Sequence, residues 1–236
     1  MTETERASSS RETSLMIRRA LIAEAFGTFC LVFAGTGALV INDTHGGTIT
    51  HVGVAFTFGL IVLAMIYALG GASGCQLNPA VTLGFLAARR FEAKRAVPYI
   101  LAQCLGAVLA SFVLKTLFPA HDTLGATVPA GTSLQSWAME CILTLILMVV
   151  ILSVSTGSKE QGILAGVAVG AVIALEALFA GPVSGASMNP ARSLAPALVA
   201  GRLDHLWVYL TAPVSGALAG VAICGAIHGP RRITPS

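Results

Sequence analysis

Two asparagines carry the first chemical signal in this chain. Ser73-Gly74-Cys75-Gln76-Leu77-Asn78-Pro79-Ala80 returns, little changed, as Ser184-Gly185-Ala186-Ser187-Met188-Asn189-Pro190-Ala191, and each copy interrupts a long apolar stretch. An Asn-Pro pair ends one helix and starts another. Proline costs nothing at the first helical position, where its missing N–H would be unpaired anyway. Asparagine caps that helix by accepting from an N–H one turn on, which leaves its amide donors to point elsewhere. A broken helix in lipid is expensive unless it lines a cavity. Two breaks in corresponding halves therefore mark where a membrane protein handles its solute. Facing helix N-termini would add two positive dipole ends to two amide donors. Such a constriction suits an oxygen-bearing neutral solute and repels cations, a hopping proton included. This is hydrogen bonding without bond making. The sequence offers no nucleophile–base constellation, Gly-rich phosphate loop or metal cluster, so neither an enzyme nor a metal or cofactor site is expected.

Three carboxylates also fall inside apolar segments: Glu24, Glu140 and Glu176. A bare carboxylate there costs about 2.5–3.5 kcal/mol on insertion scales, so each needs a partner. Glu24 and Glu140 are matched between the two halves at an offset of 116 residues. Glu176 has no counterpart, and could brace Arg192 or the following loop, or line an outer vestibule.

The elements that position these groups follow from composition. Of 236 residues, 55% are hydrophobic and 11% charged, with mean hydropathy +0.82. A soluble domain carries about 25% charged residues, so the chain belongs in a bilayer. Six stretches, near 20–41, 52–70, 97–117, 134–155, 161–180 and 206–228, are long enough to span it, since a span needs about 20 apolar residues. In a six-span arrangement Arg6, Arg11, Arg18, Arg19, Arg89, Arg90, Lys94, Arg95, Lys159, Arg231 and Arg232 share one side, and only Lys115, Arg192 and Arg202 do not. This bias places both termini in the cytoplasm. The net charge of +3 thus reports topology, and no basic patch with interleaved aromatics suggests nucleic acid. Residues 1–16 read as a disordered cytoplasmic tail, 17–228 as one channel domain, and 229–236 as a C-terminal tail. The five cysteines, Cys30, Cys75, Cys104, Cys141 and Cys224, read as free thiols. The five histidines lie at loops or span ends, where solvated or capping roles are the default.

The duplication runs past the Asn-Pro breaks. Tyr99 to Ala107 answers Tyr209 to Ala217 at an offset of 110, and Asn78 answers Asn189 at 111. Three spans and one break per half, over about 17–120 and 130–228, force the second half to enter from the opposite face. The expected fold is an all-α membrane protein of six transmembrane helices and two re-entrant half-helices, Pro79 to about Ala88 and Pro190 to about Ala200, built as an inverted repeat. Gly53, Gly59, Gly166, Gly170, Gly216 and Gly220 suit close helix packing.

Across residues 18–228 the chain resembles the major intrinsic protein family, the aquaporins and aquaglyceroporins. The resemblance rests on Asn78-Pro79-Ala80-Val81-Thr82, Asn189-Pro190-Ala191-Arg192-Ser193, the paired glutamates and the repeat. It implies one pore per protomer, a homotetramer, and a place in the cell (plasma or inner) membrane. Within the family the chain is similar to the nodulin-like intrinsic proteins and their bacterial relatives, in Ala110-Ser111-Phe112-Val113-Leu114-Lys115, in Phe179-Ala180-Gly181, and in the 108 residues, Val81 to Met188, between the two Asn-Pro-Ala triplets. That spacing resembles members that pass silicic acid and other metalloids. The resemblance places the selectivity filter on Phe58, Ala177, Ala186 and Arg192, the pore constriction on Asn78 and Asn189, and the loop anchors on Glu24 and Glu140. Water-selective members carry His where this chain has Ala177. Ser193 stands where glycerol facilitators have Asp, Gln76 where His is usual, and Cys75 where Ala is usual. Cys75 is symmetry-related to filter residue Ala186, so it is expected to border the pore and to bind mercurials.

The function implied is passive passage of small neutral solutes: water, glycerol-like polyols, and hydroxides such as arsenous, boric or silicic acid. A mainly water-selective channel and a proton-coupled secondary transporter are the alternatives, the latter because broken helices in inverted repeats also build transporters.

Overall fold

The computed structural model describes residues 3–155 and 163–229. Eight helices form among them: α1 (Glu3–Thr44), α2 (Thr50–Ser73), α3 (Pro79–Ala87), α4 (Ala93–Leu117), α5 (Ser133–Val154), α6 (Ala165–Ser184), α7 (Pro190–Ala200) and α8 (Leu206–His228). Six of them (α1 from Glu12, with α2, α4, α5, α6 and α8) are long and apolar enough to span. The short α3 and α7 are the half-helices. Each begins at the expected proline, capped by Asn78 or Asn189, whose side-chain oxygen accepts from Ala80 N at 2.9 Å and from Ala191 N at 3.0 Å.

One boundary differs. The tail expected over 1–16 is helical from Glu3. A membrane helix supplies the nucleus that an isolated segment lacks, so its polar N-terminal extension continues the helix at the low cost of propagation. Lys159 and most of the C-terminal tail, with Arg231 and Arg232, lie outside the described residues.

The inverted repeat is visible in the packing. α1 crosses α4 where α5 crosses α8, and α1 and α5 flank α2 and α6 respectively. A Cβ on Gly106 would lie 1.9 Å from Ala25 O, and one on Gly216 would lie 2.1 Å from Cys141 O, so backbone meets backbone at both crossings. Gly59 and Gly170 face each other across the pseudo-two-fold axis, a Cβ on either lying 2.4 or 2.6 Å from the other's carbonyl. These glycines pack, as small residues do where helices approach closely in lipid. The half-helices change sides: α3 packs on α8 of the second half, and α7 on α4 of the first.

Candidate functional site

The two breaks are built alike. α2 ends at Gly74 (φ 82°) and α6 at Gly185 (φ 85°), both left-handed, as helix C-caps favour. The chain then holds Cys75 (φ 49°) and Leu77 (φ 52°) in the left-handed region, and likewise Ala186 (φ 41°) and Met188 (φ 54°). Each such residue costs about 1–2 kcal/mol, so something must over-determine the path. The matched glutamates do. Glu24 Oε1 accepts from Ser73 Oγ (2.7 Å) and Gln76 N (2.9 Å), and Oε2 from Leu77 N (2.8 Å) and Gln103 Nε2 (2.7 Å). Glu140 Oε1 accepts from Ser184 Oγ (2.7 Å) and Ser187 N (2.8 Å), and Oε2 from Met188 N (2.7 Å). Every contact is a donor, so the arrangement fits ionised carboxylates. Bonds to a charged acceptor contribute about 1.5–3 kcal/mol each, enough to offset the strained backbone they hold. The carbonyls of Cys75, Gln76, Ala186 and Ser187 accept from no donor among the described residues, and these four residues line one cavity.

The asparagines lock the halves together. Asn78 Nδ2 donates to Met188 O at 2.8 Å, and Asn189 Nδ2 donates to Leu77 O at 2.8 Å. The sequence left both amide protons of each asparagine unassigned; the structure uses one, and one remains for a solute. Asn78 and Asn189 line a cavity of about 120 Å³ that reaches from Phe58, Ala177, Ala186 and Arg192 at one end to Ser155 and Ala165 at the other. All four expected filter residues and Cys75 therefore border the same passage. Arg192 donates from Nη1 to Gly125 O at 2.8 Å, and its guanidinium carbon sits 5.0 Å from the Phe58 ring centroid.

The sequence reading missed the residues that hold these groups in place. Tyr99 and Tyr209 donate to Ser73 O (3.1 Å) and Ser184 O (2.7 Å); their recurrence in the repeat was the available signal. The loop between α4 and α5 gave none. Its Gly125 carbonyl fixes Arg192, its Thr127 hydroxyl donates to Ser193 Oγ at 2.8 Å, and Ser193 meets Ser187 Oγ in turn. His121, one of the histidines read as solvated or capping, organises that loop by accepting from Leu124 N at 3.0 Å with Asp43 3.3 Å from its other ring nitrogen. Glu176 fulfils none of the roles open to it: it is buried, lies outside the cavity lining, makes no ion pair with Arg192, and neither carboxylate oxygen has a hydrogen-bond partner.

A sequence model described as "Major intrinsic protein" matches residues 11–224. The chain belongs to the major intrinsic protein family. It is 51% identical over 201 residues to Aquaporin NIP1-1 of Oryza sativa subsp. japonica, covering 85% of this chain and 71% of that one. It is 47% identical to Nodulin-26 of Glycine max, at 85% and 74% coverage. These plant proteins bear out the nodulin-like branch, though not its bacterial side. Among solved structures, the aquaglyceroporin from Plasmodium falciparum superposes with a TM-score of 0.82 at 27% identity, covering 91% of this chain and 98% of that one. As a major intrinsic protein the chain is a multi-pass membrane channel, passive toward small neutral solutes such as water and glycerol.

Proposed function

We propose that this channel passes polyols and uncharged metalloid hydroxides, such as arsenous, boric or silicic acid, alongside water. The observation that carries this reading is the make-up of the cavity's outer end: an aromatic ring on one side, a guanidinium on the other, and alanines at 177 and 186. Two alanines leave room that a bulky polar side chain would take. The ring accommodates the carbon or apolar edge of a solute while Arg192 and the asparagines donate to its hydroxyls, and the solute is spared the cost of unpaired polar groups. The relatives support the breadth of this range, one being an aquaglyceroporin. Stopped-flow uptake of water, glycerol and arsenous acid into proteoliposomes tests it. Comparable entry of all three, insensitive to protonophore and with low activation energy, is expected; a profile confined to water would overturn it in favour of a water-selective channel. Proton coupling is disfavoured because Glu24 and Glu140 are saturated by structural donors and Glu176 lies off the passage.

The working assembly in this reading is a homotetramer in the plasma or inner membrane of the cell, with cytoplasmic termini and one pore per protomer. Two variants probe the filter. Cys75 is the one cysteine among those lining the cavity, so mercuric ion is expected to inhibit water flux in the parent and to spare Cys75→Ala; equal inhibition of both would refute the placement. Glu176→Gln is expected to alter glycerol permeability less than any substitution of Arg192. A larger effect would put Glu176 in contact with the solute.

A further inference from the structure

Gly35 sits in α1, buried, and takes no part in lining the passage. A Cβ built on it would lie 2.1 Å from Cε1, 2.4 Å from Cδ1 and 2.5 Å from Cζ of Phe58. Contacts below 3.0 Å do not occur, so no side chain fits while the ring stays where it is. The same ring presents its face to Arg192, whose guanidinium carbon is 5.0 Å from the centroid. Phe58 is thus seated with one edge on bare α1 backbone and one face under the filter arginine. Gly35 does not have a left-handed φ, so its backbone would accept alanine. Glycine inside a helix is disfavoured relative to alanine, and here the ring explains why it stands there.

The inverted half shows what the seat achieves. First-helix residues map across the repeat by 116, as Glu24 to Glu140, and second-helix residues by 111, as Gly59 to Gly170. Gly35 and Phe58 therefore correspond to Ile151 and Val169, both of which line the cavity. The second half divides its bulk between two medium side chains; the first puts it all in one ring and removes the other side chain altogether.

Resting on the filter reading above, we propose that Gly35 is a specificity-determining residue, one helix removed from the solute. Its missing side chain lets Phe58 recess against α1, and the depth of that recess decides how wide a solute passes Arg192. A methyl group at 35 would drive the ring toward the lumen. The α1 backbone cannot yield instead, because Glu24 ties it to the first break and Gly106 locks it against α4.

The test compares Gly35→Ala, Phe58→Ala and the double variant in proteoliposomes, by the ratio of glycerol to water permeability per inserted protein. Gly35→Ala is expected to lower the ratio several-fold, Phe58→Ala to raise it, and the double variant to match Phe58→Ala, since no ring remains to be displaced. If Phe58→Ala moves the ratio but Gly35→Ala does not, or if Gly35→Ala lowers it equally in both backgrounds, the inference is wrong and the filter reading survives. If Phe58→Ala leaves the ratio unmoved, the filter reading itself fails. Should Gly35→Ala not insert alone, it is compared with its parent in a Phe58→Leu background, where the shorter, more flexible side chain can give way to the methyl by moving toward the lumen: a lowered ratio there supports the seat and an unchanged one overturns it.

Discussion

Glu140→Ala is expected to abolish the channel, with loss of water permeability per inserted protein and loss of the folded state in detergent. The substitution strands three buried donors at once: the Ser184 hydroxyl and the N–H groups of Ser187 and Met188. Each unsatisfied donor costs about 1–3 kcal/mol, so the sum, about 3–9 kcal/mol, rivals the net stability of about 5–15 kcal/mol typical of a folded domain. Ala186 and Met188 also lose what holds their left-handed backbone. The damage reaches the constriction, because Met188 O is the acceptor for Asn78 Nδ2. Glu24→Ala strands four donors, yet we expect it to be the milder variant. Ser73 and Gln76 are partly exposed, so water can replace part of the lost carboxylate, whereas Ser184, Ser187 and Met188 are buried. Glu140→Gln keeps one acceptor oxygen but turns an NH2 toward backbone N–H, and should fall between parent and alanine. Stopped-flow light scattering and thermal unfolding measure the series. Parental permeability in Glu140→Ala would show that the second break holds its shape without the carboxylate.

How much of this could be read beforehand depended on expense. An Asn-Pro break and a carboxylate are both costly in lipid, so finding each twice, at nearly matched offsets, exposed the half-helices, the anchors and the inverted topology. The filter positions followed by resemblance from their distances to those breaks, and they do border one cavity. What stayed hidden involves groups cheap anywhere in a sequence. A glycine carbonyl in the loop between α4 and α5 holds Arg192 across 67 residues, and Gln103 reaches Glu24 across 79. Neither leaves a mark in composition or period, because only the tertiary path brings them together. Gly35 was hidden for the opposite reason: helical glycines are common in membrane proteins, and nothing local separates a packing glycine from a seat beneath a filter ring. The N-terminal tail was misread because polarity was taken as disorder, although a helix already nucleated in α1 extends through such residues readily.

Arg192→Val should have the largest effect on selectivity. The change removes a buried charge, frees the Phe58 face it covers, and leaves the Gly125 carbonyl without its donor. Glycerol and arsenous acid should enter faster, because the widest side chain at the outer end of the cavity is gone. Cations should leak as well. At an effective dielectric near 20, a unit charge about 4 Å away costs a passing cation about 4 kcal/mol, and each 1.4 kcal/mol is about tenfold in rate. Water in the lumen screens part of this, so a rise of about ten- to a hundredfold in monovalent cation leak is expected. The leak stays bounded because a second barrier persists where α3 and α7 meet: each helix N-terminus carries about half a positive charge, and the paired asparagines keep them pointing at the passage. Proton entry followed by a trapped pH dye, and potassium flux under an imposed potential, separate the two barriers. Removing Arg192 and seeing no rise in either flux would mean that exclusion resides wholly at the asparagine pair. Adding Asn189→Asp, which places a negative charge between the two helix ends, should then open the leak that Arg192→Val alone had not.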